Sequence, residues 1–254
     1  MSWNYDDSSQ RIGKHLDSMG EIEIEKLVRE ADLESLLTET CCREIHGAHV
    51  YVDISTFARI ATESVTDNNE YKRLIQGVHI YQREVSRIVE TIFGGLRIHF
   101  QGSKLHALFY RPIDDTQVLA TKAVLLLLVL KDFVNSVFNP SYPLLGNFSI
   151  AGGADVGDAI GTRNGRRNDR ELLFLGACAN YAAKIIRASG RLRISKATYD
   201  SLPDDLRDLC EEIDDDEIYQ VNSVSQKKLD ELLEKYEIEW DREKSQERVD
   251  DDKR

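Results

Sequence analysis

The sequence predicts an α/β fold in which helices cover one face of a sheet of mixed strand direction. Apolar runs rich in β-branched and aromatic residues alternate along the chain with longer segments whose apolar residues recur at helical spacing. Two of the strand-like runs are separated only by a short turn that contains glycine, as in a β-hairpin. Hydrophobic residues make up 41% of the 254 residues, so the chain can bury the core that such a fold needs.

The first half of the chain shows this alternation clearly. The polar residues 1–20 are expected to be poorly ordered, and the apolar spacing in 21–40 predicts an amphipathic helix. The run AHVYVDI, residues 48–54, predicts a buried strand. Helical spacing then covers residues 57–92, with a break near TDNNE. A hairpin is expected over residues 94–112, turning at Gln-Gly-Ser-Lys.

The second half continues the alternation, and the sequence contains no internal repeat. The predicted elements are a helix over 114–138 that ends at NPSYP, a strand over 146–161, a basic turn over 162–170, a strand over 171–176, a helix over 177–190 closed by glycine, strands over 191–195 and 216–221 with a short helix between them, and a charged helix over 226–240. We expect three regions: an N-terminal helical segment (1–44), a main domain (45–222), and a charged C-terminal helix with a disordered tail (223–254).

The composition limits the classes of function. A formal net charge of −12 argues against a nucleic-acid or membrane-surface binder, because such proteins are normally basic. It is compatible with a small phosphate-bearing ligand held by a local basic patch. The four cysteines lack metal-type spacing, which predicts reduced thiols in a cytoplasmic protein. The polar start differs from a signal peptide, and the longest apolar run, AVLLLLVL, is too short to span a bilayer.

Asp53 is a carboxylate at the end of a predicted buried strand. A charge in that place is costly unless it is paired or holds a cation. Two roles are open from this segment alone: a cap for the helix that follows, or a ligand for a metal ion.

Four segments resemble, in order, the motifs of the class III nucleotide cyclase catalytic domain. Their joint order and spacing over residues 46–221 are more specific than any single segment, so residues 45–222 are identified as a member of that family, with a ferredoxin-like core. The four segments are YVDISTF, IHFQGSKLHALF, GGADVGDAIG, and LGACANYAAKI followed by RLRISKATYDSL.

The resemblance implies an intramolecular phosphoryl transfer, in which the ribose 3′-hydroxyl of a nucleoside triphosphate attacks the α-phosphate and pyrophosphate leaves. It also implies a Mg²⁺ or Mn²⁺ cofactor, held by Asp53 and the backbone carbonyl of Ile54. The family usually has a second carboxylate after the hairpin glycine, where this chain has Ser103. Asp114 and Asp115 are rejected as replacements, because the intervening strand places them more than roughly 20 Å from the hairpin tip. Either Ser103 ligates weakly or through water, with the nucleotide phosphates completing the site, or the site is degenerate.

The base-reading positions implied by the resemblance are His99 and Leu173, and neither is the residue that purine cyclases of this family usually have there. His99 is either a base contact or a structural histidine, and Leu173 would be apolar lining. Tyr51 lies two residues before Asp53, on the same face of the strand because side chains alternate. It could contact a nucleobase or pack in the core.

Asn180, Lys184 and Arg187 recur at helical spacing. By the resemblance, Asn180 holds the ribose and a cationic residue stabilises the transition state. Lys184 lacks a bidentate fork, so Arg187 can take that role. The alternative is a solvated polar face. Arg166 and Arg167, in the basic turn, are candidates for triphosphate capture, and the alternative is a solvated loop.

The resemblance is closest to the stand-alone bacterial pyrimidine cyclases of the Pycsar antiphage systems. It implies conversion of UTP to cyclic UMP as an antiviral messenger, sensed by a separate effector protein. It also implies a head-to-tail homodimer with active sites at the interface. The alternatives are a cytidylate, adenylate or guanylate cyclase, or a degenerate cyclase-like module that binds nucleotide without turnover. No nucleic-acid or membrane partner is expected.

Overall fold

A computed structural model of the chain describes residues 4–65, 67–142, 147–166, 169–186, 190–214 and 217–238. Within these ranges, nine strands form one sheet. The strands are β1 (Glu23–Lys26), β2 (Cys41–Ile54), β3 (Leu96–Gln101), β4 (Lys104–Phe109), β5 (Ile150–Arg166), β6 (Asp169–Leu175), β7 (Leu192–Ser195), β8 (Cys210–Asp214) and β9 (Ile218–Val221). The helices are α1 (Tyr5–Ser18), α2 (Leu33–Leu36), α3 (Phe57–Arg59), α4 (Asn68–Arg87), α5 (Thr116–Phe133), α6 (Asn139–Ser141), α7 (Ala177–Lys184), α8 (Lys196–Asp200), α9 (Asp204–Arg207) and α10 (Gln226–Lys235), with π-helical turns at Ile60–Ser64, Ile88–Ile92 and Val134–Phe138.

The sheet is mixed, as the sequence predicts. Its strand order is β3-β4-β2-β5-β7-β9-β8, with β1 paired to β2 and β6 paired to β5. The β1–β2 and β5–β7 pairs are parallel and the others are antiparallel. The central strand β2 lies between β4 and β5, so its residues have neighbours on both sides.

Alternation along β2 separates a core face from a second face. Val50, Val52 and Ile54 are at most 2% exposed and belong to the large hydrophobic core that also contains α5. The helix α5 is buried almost all round, as its apolar run predicts. His49, Tyr51 and Asp53 must therefore project from the opposite face of the sheet.

The helix α7 packs directly on β5 because glycines leave space for its backbone. A Cβ at Gly153 would lie 2.3 Å from the carbonyl oxygen of Ala182. A Cβ at Gly157 would lie 3.2 Å from that of Cys178. Gly153 is also the β5 partner of Tyr51, so this close approach brings α7 next to the second face of β2.

Two expectations for the N-terminal residues are wrong. Residues 5–18 form a helix, because Asn4 accepts a hydrogen bond from the Asp6 amide and acidic residues occupy the first turn. The helix expected over 21–40 is replaced by β1 and the short α2. The Glu-Ile-Glu-Ile alternation has strand period, and β1 pairs with the start of β2. The expected boundary after residue 44 falls inside β2.

Several later bounds also differ from the expectations. The basic turn over 162–170 is instead a β-ribbon, in which β5 runs to Arg166 and pairs with β6. The helical run ends within NPSYP, as expected, although α6 carries it three residues into that segment, to Ser141. The helix α7 ends at Lys184 rather than at Gly190. Sequence patterns also missed β8 and α9.

The other predicted elements are confirmed: the strand at 48–54, the helices between it and the hairpin, the hairpin itself, and the helices α5, α8 and α10. Of the helices in the described ranges, none combines the length and apolar character required to cross a bilayer. The expected disordered residues 241–254 lie outside the described residues.

We expect Gly153→Ala to lower the free energy of unfolding by roughly 1–3 kcal/mol, because the added methyl group forces α7 away from β5. The matched control is Gly13→Ala in α1, where a Cβ meets nothing within 4 Å. That substitution should be neutral or stabilising by up to about 1 kcal/mol. Urea unfolding followed by circular dichroism measures both, and equal effects would contradict the close packing of α7.

Candidate active site

Asp53 and Ser103 meet at one end of the central sheet. Asp53 is the penultimate residue of β2, and Ser103 lies in the two-residue turn between β3 and β4. The Ser103 hydroxyl donates to Asp53 Oδ1 over 2.7 Å. This contact joins residues that are 50 positions apart, at the place where the resemblance expects two metal ligands.

The turn that carries Ser103 is held from both sides. Gly102 adopts φ of +62°, in the left-handed region that favours glycine. The side-chain amide of Gln82, on α4, donates to the Gly102 carbonyl over 2.7 Å. Ser103 itself is only 8% exposed, so its hydroxyl is fixed toward Asp53.

Tyr81 of α4 lies close to the carboxylate from the core side. It is fully buried, and its hydroxyl has no hydrogen-bond partner among the described residues. Burial, together with the nearby negative charge of Asp53, raises the pKa of Tyr81 above its ordinary value. Tyr81 therefore stays neutral beside Asp53.

The donors at this place suit a hard divalent cation. Carboxylate and hydroxyl oxygens are ligands that Mg²⁺ and Mn²⁺ accept. The side chain of Ile54 is buried in the core, so only its backbone can contribute. Among the described residues, no group of three or more His, Cys, Asp or Glu side chains could hold a metal ion. Asp53 and Ser103 supply two side-chain oxygen donors, so an ion bound here would need further oxygen ligands from the backbone, a substrate or water. Asp114 and Asp115 do not belong to it: Asp114 pairs with Lys26, and Asp115 caps α5.

Next to this pair, three imidazole rings and two aromatic rings form one cluster. The Tyr51 and His106 rings stack, with centroids 4.1 Å apart and planes 11° apart. His99 meets His106 edge-on, with centroids 5.4 Å apart. His49 Nδ1 lies 3.0 Å from His106 Nε2, and Phe174 packs against both of these histidines.

Burial keeps three members of the cluster uncharged: His49, Tyr51 and His106. It lowers the pKa of His49 to about 4, and with electrostatic repulsion from His49 and His99 it lowers that of His106 to about 2. Burial also raises the pKa of Tyr51 to about 12, with a smaller contribution from Cys178. At neutral pH, His49, His106 and Tyr51 can therefore donate and accept hydrogen bonds without carrying charge.

Two nitrogens of the cluster are buried without a hydrogen-bond partner among the described residues: His49 Nε2 and His99 Nδ1. An unpaired buried polar atom costs about 1–3 kcal/mol. Such a cost is recovered when water or a ligand supplies the missing partner. The resemblance gives His99 a base-reading position, and its buried Nδ1 would gain a partner if water or a ligand reached it.

Three more of the expected site residues lie on α7 and β6. Asn180 and Lys184 lie one turn apart on α7, and both are exposed. Neither side chain forms a hydrogen bond or ion pair with the part of the chain that the structure describes. Leu173 is 38% exposed on β6. The structure therefore joins Asp53 with Ser103, and brings Tyr51 and His99 each into contact with His106, but leaves Asn180 and Lys184 exposed.

Three expected cationic residues cannot be placed in this way. Arg166 ends β5 opposite Asp169, and its side chain is outside the described part of the structure. Arg167 and Arg187 lie outside the described residues altogether. Their roles stay predictions from the sequence.

Sequence reasoning missed His49, His106 and Phe174, although two of them left a signal. His49 precedes Tyr51 and Asp53 at period two, so it lies on the same strand face. A two-residue turn at Gly102 and Ser103 pairs His99 with His106 directly, as the structure shows. Phe174 gave no such signal, because its approach depends on how the β5–β6 ribbon folds back.

Comparison with known proteins identifies sequence relatives of this chain. No family model matches the chain. It is 30% identical over 188 residues to a uridylate cyclase from Pseudomonas aeruginosa, which is 72% of this chain and 36% of that protein. It is 28% identical over 144 residues to a uridylate cyclase from a Rhizobium species, which is 56% of this chain and 27% of that protein. The chain thus spans about a third of the length of the curated relatives it matches.

Solved structures give the fold. A class III adenylyl cyclase-like ATP-binding protein from Pseudomonas aeruginosa superposes with a TM-score of 0.74 at 22% identity, covering 93% of this chain and 49% of that one. The adenylyl cyclase CyaB from the same organism gives 0.61 at 19% identity, covering 73% of this chain and 97% of that one. The fold is therefore that of the class III nucleotide cyclases, and the relative that is 30% identical over 72% of this chain places the chain in that family. By sequence, it is related to the uridylate cyclases.

The folded protein should lose stability as the pH falls from 6.5 toward 4. The imidazole of His49 has a pKa of about 4 when folded and 6.5 as a free group, so the unfolded chain binds protons first. His49→Leu should make the fall in the urea midpoint between pH 7 and pH 5 shallower. The exposed His79→Gln is the control and should keep the wild-type slope. An unchanged slope in His49→Leu would show that His49 is not a buried neutral group.

Proposed function

We propose that this protein is a nucleotide cyclase that converts UTP to 3′,5′-cyclic UMP and pyrophosphate. The observation that carries the proposal is the Ser103–Asp53 hydrogen bond, 2.7 Å long, beside the ring cluster of Tyr51, His99 and His106, in which burial keeps Tyr51 and His106 neutral. An oxygen-donor pair adjoins an uncharged aromatic surface, as a nucleoside triphosphate requires. The related uridylate cyclases support the choice of base.

Asp53 and Ser103 are proposed to hold Mg²⁺ or Mn²⁺ together with the backbone of Ile54. When bound, the ion would neutralise the phosphates and favour loss of the proton from the ribose 3′-hydroxyl. The Ser103 hydroxyl donates to one oxygen of the Asp53 carboxylate. The other carboxylate oxygen would bind the ion. The missing second carboxylate makes the phosphates a larger part of the ligand set than in a two-carboxylate site.

Tyr51 and His99 are proposed to contact the base. The Tyr51 ring is half-buried and offers a flat face or its hydroxyl, while His99 offers a nitrogen that has no partner among the described residues. Uracil presents both a hydrogen-bond donor and acceptors at its edge, which neutral groups can match without a charge penalty. Leu173 is proposed to line the same space with apolar surface.

Asn180 and Lys184 are proposed to act on the nucleotide bound by a second copy of the chain. Both are exposed and unpartnered within the described part of one chain, which fits groups that complete a site elsewhere. We infer a head-to-tail homodimer with two equivalent sites. Arg187 would support Lys184 at the transition state, and Arg166 and Arg167 would capture the triphosphate.

The proposed biological role follows the resemblance to pyrimidine cyclases of antiphage systems. Cyclic UMP would be an antiviral second messenger in the cytoplasm, sensed by a separate effector protein. A second candidate function is a degenerate module that binds nucleotide without turnover. The serine at the second ligand position and the lysine at position 184 are the features that favour it.

Incubation of the purified protein with each of the four ribonucleoside triphosphates and Mg²⁺ or Mn²⁺ should yield cyclic UMP from UTP. Asp53→Asn should lower the rate by roughly 100-fold or more, because it removes the charged metal ligand. Mass spectrometry of the products measures both. Another cyclic nucleotide as main product would correct the substrate, whereas no product with either metal would favour the non-catalytic module.

Mixing two inactive variants should restore activity if sites are shared between protomers. In a mixture of Asp53→Asn with Asn180→Ala, half the dimers are mixed and each has one intact site, so about a quarter of wild-type activity should return. Each variant incubated alone for the same time is the control. Absence of recovery, with exchange of subunits confirmed by mass spectrometry, would place both residues in one protomer's site.

A further inference from the structure

We propose that His106 is a positioning residue that sets base preference by fixing the orientations of Tyr51 and His99. The proposal rests on the proposed nucleotide-binding function of the same site. His106 lies in β4, between the strands that carry the two base-contacting residues. It is 3% exposed, so it does not itself form the surface that meets the base.

The strand register makes His106 the common neighbour of both contacts. It is paired with Tyr51 across the β2–β4 ladder and with His99 across the β3–β4 ladder. Its ring stacks on that of Tyr51, with planes 11° apart, and meets that of His99 at 81°. A rotation of the His106 ring would therefore disrupt its contacts with the Tyr51 and His99 rings at the same time.

The His106 ring is itself held in place. Its Nε2 lies 3.0 Å from Nδ1 of His49, so one of these nitrogens donates to the other. His49 packs edge-on against Phe174 of β6, with centroids 5.4 Å apart. Phe174 is 6% exposed, so it supports His49 from a buried position.

Core packing alone does not account for this arrangement. Two imidazoles are almost completely buried, and His49 Nε2 has no partner among the described residues. An apolar residue of similar size would fill the same space without that cost. What the pair provides is a directional hydrogen bond that fixes the ring plane against which Tyr51 stacks.

Loss of the His106 ring should then change base preference more than it changes kcat with the preferred substrate. Without the His106 ring, Tyr51 gains freedom to turn, and the fit to one base over another weakens. We expect His106→Ala to reduce the ratio of kcat/KM for the preferred triphosphate over the next best by roughly tenfold or more. Most of that loss should appear in KM, since the metal ligands and the α7 residues are unchanged.

The test compares three variants with the wild-type protein on all four ribonucleoside triphosphates. His106→Ala removes the stack and the hydrogen bond, whereas His106→Phe keeps a flat ring and should recover much of the preference. His79→Ala, on the exposed side of α4, is the control and should leave the ratio unchanged. If His106→Ala does not fold, His106→Phe and His49→Phe both retain packing, and each should lower the ratio measurably below the wild-type value.

Calorimetric binding of the four triphosphates in Ca²⁺ separates failure of this proposal from failure of the proposed catalysis. If the wild-type protein binds one base preferentially but makes no product, the proposed cyclase activity is wrong. The effect of His106 on binding preference can still be measured in that case. Loss of that binding preference in His106→Ala supports the positioning role. An unchanged preference in a folded His106→Ala, or a wild-type protein with no preference to lose, would overturn it.

Discussion

The register of β2 between β4 and β5 is the constraint on which the rest of the structure depends. It fixes Val50 and Val52 toward the core under α5 and, by alternation, places His49, Tyr51 and Asp53 on the other face. A shift by one residue would exchange the two sets, burying a carboxylate in the core and exposing valines. The cost of that exchange ties the position of the candidate site to the packing of the largest hydrophobic core in the described chain.

The same register gives the site two halves with different electrostatic character. At the strand end, the Asp53 carboxylate accepts a hydrogen bond from the Ser103 hydroxyl. Two and four residues before Asp53 in β2, burial keeps Tyr51 and His49 neutral. A charged end suits a metal and phosphates, and a neutral end suits a base.

Local sequence patterns predicted the parts of this arrangement that depend on local physics. The hairpin turn at Gly102 and the shared face of Tyr51 and Asp53 follow from turn chemistry and strand period. The strand β1 was missed because its stability comes from pairing with Cys41–Glu44, which no window around residues 21–28 contains. The Ser103–Asp53 bond joins residues 50 positions apart, so only the complete sheet register reveals it. The histidine cluster was missed for the same reason, since it is assembled from three strands and the β5–β6 ribbon.

The central claim is that Asp53 and Ser103 form one half of a metal–nucleotide site that a second protomer completes. The most direct measurement is a crystal structure with Mn²⁺ and a UTP analogue that cannot be cyclised, using the anomalous signal of manganese. The account predicts manganese bound by an Asp53 oxygen at about 2.2 Å, with Ser103 bound directly or through water. It also predicts Asn180 of the partner protomer at the ribose. Manganese at another place, or a nucleotide bound within a single protomer away from Tyr51, would contradict it.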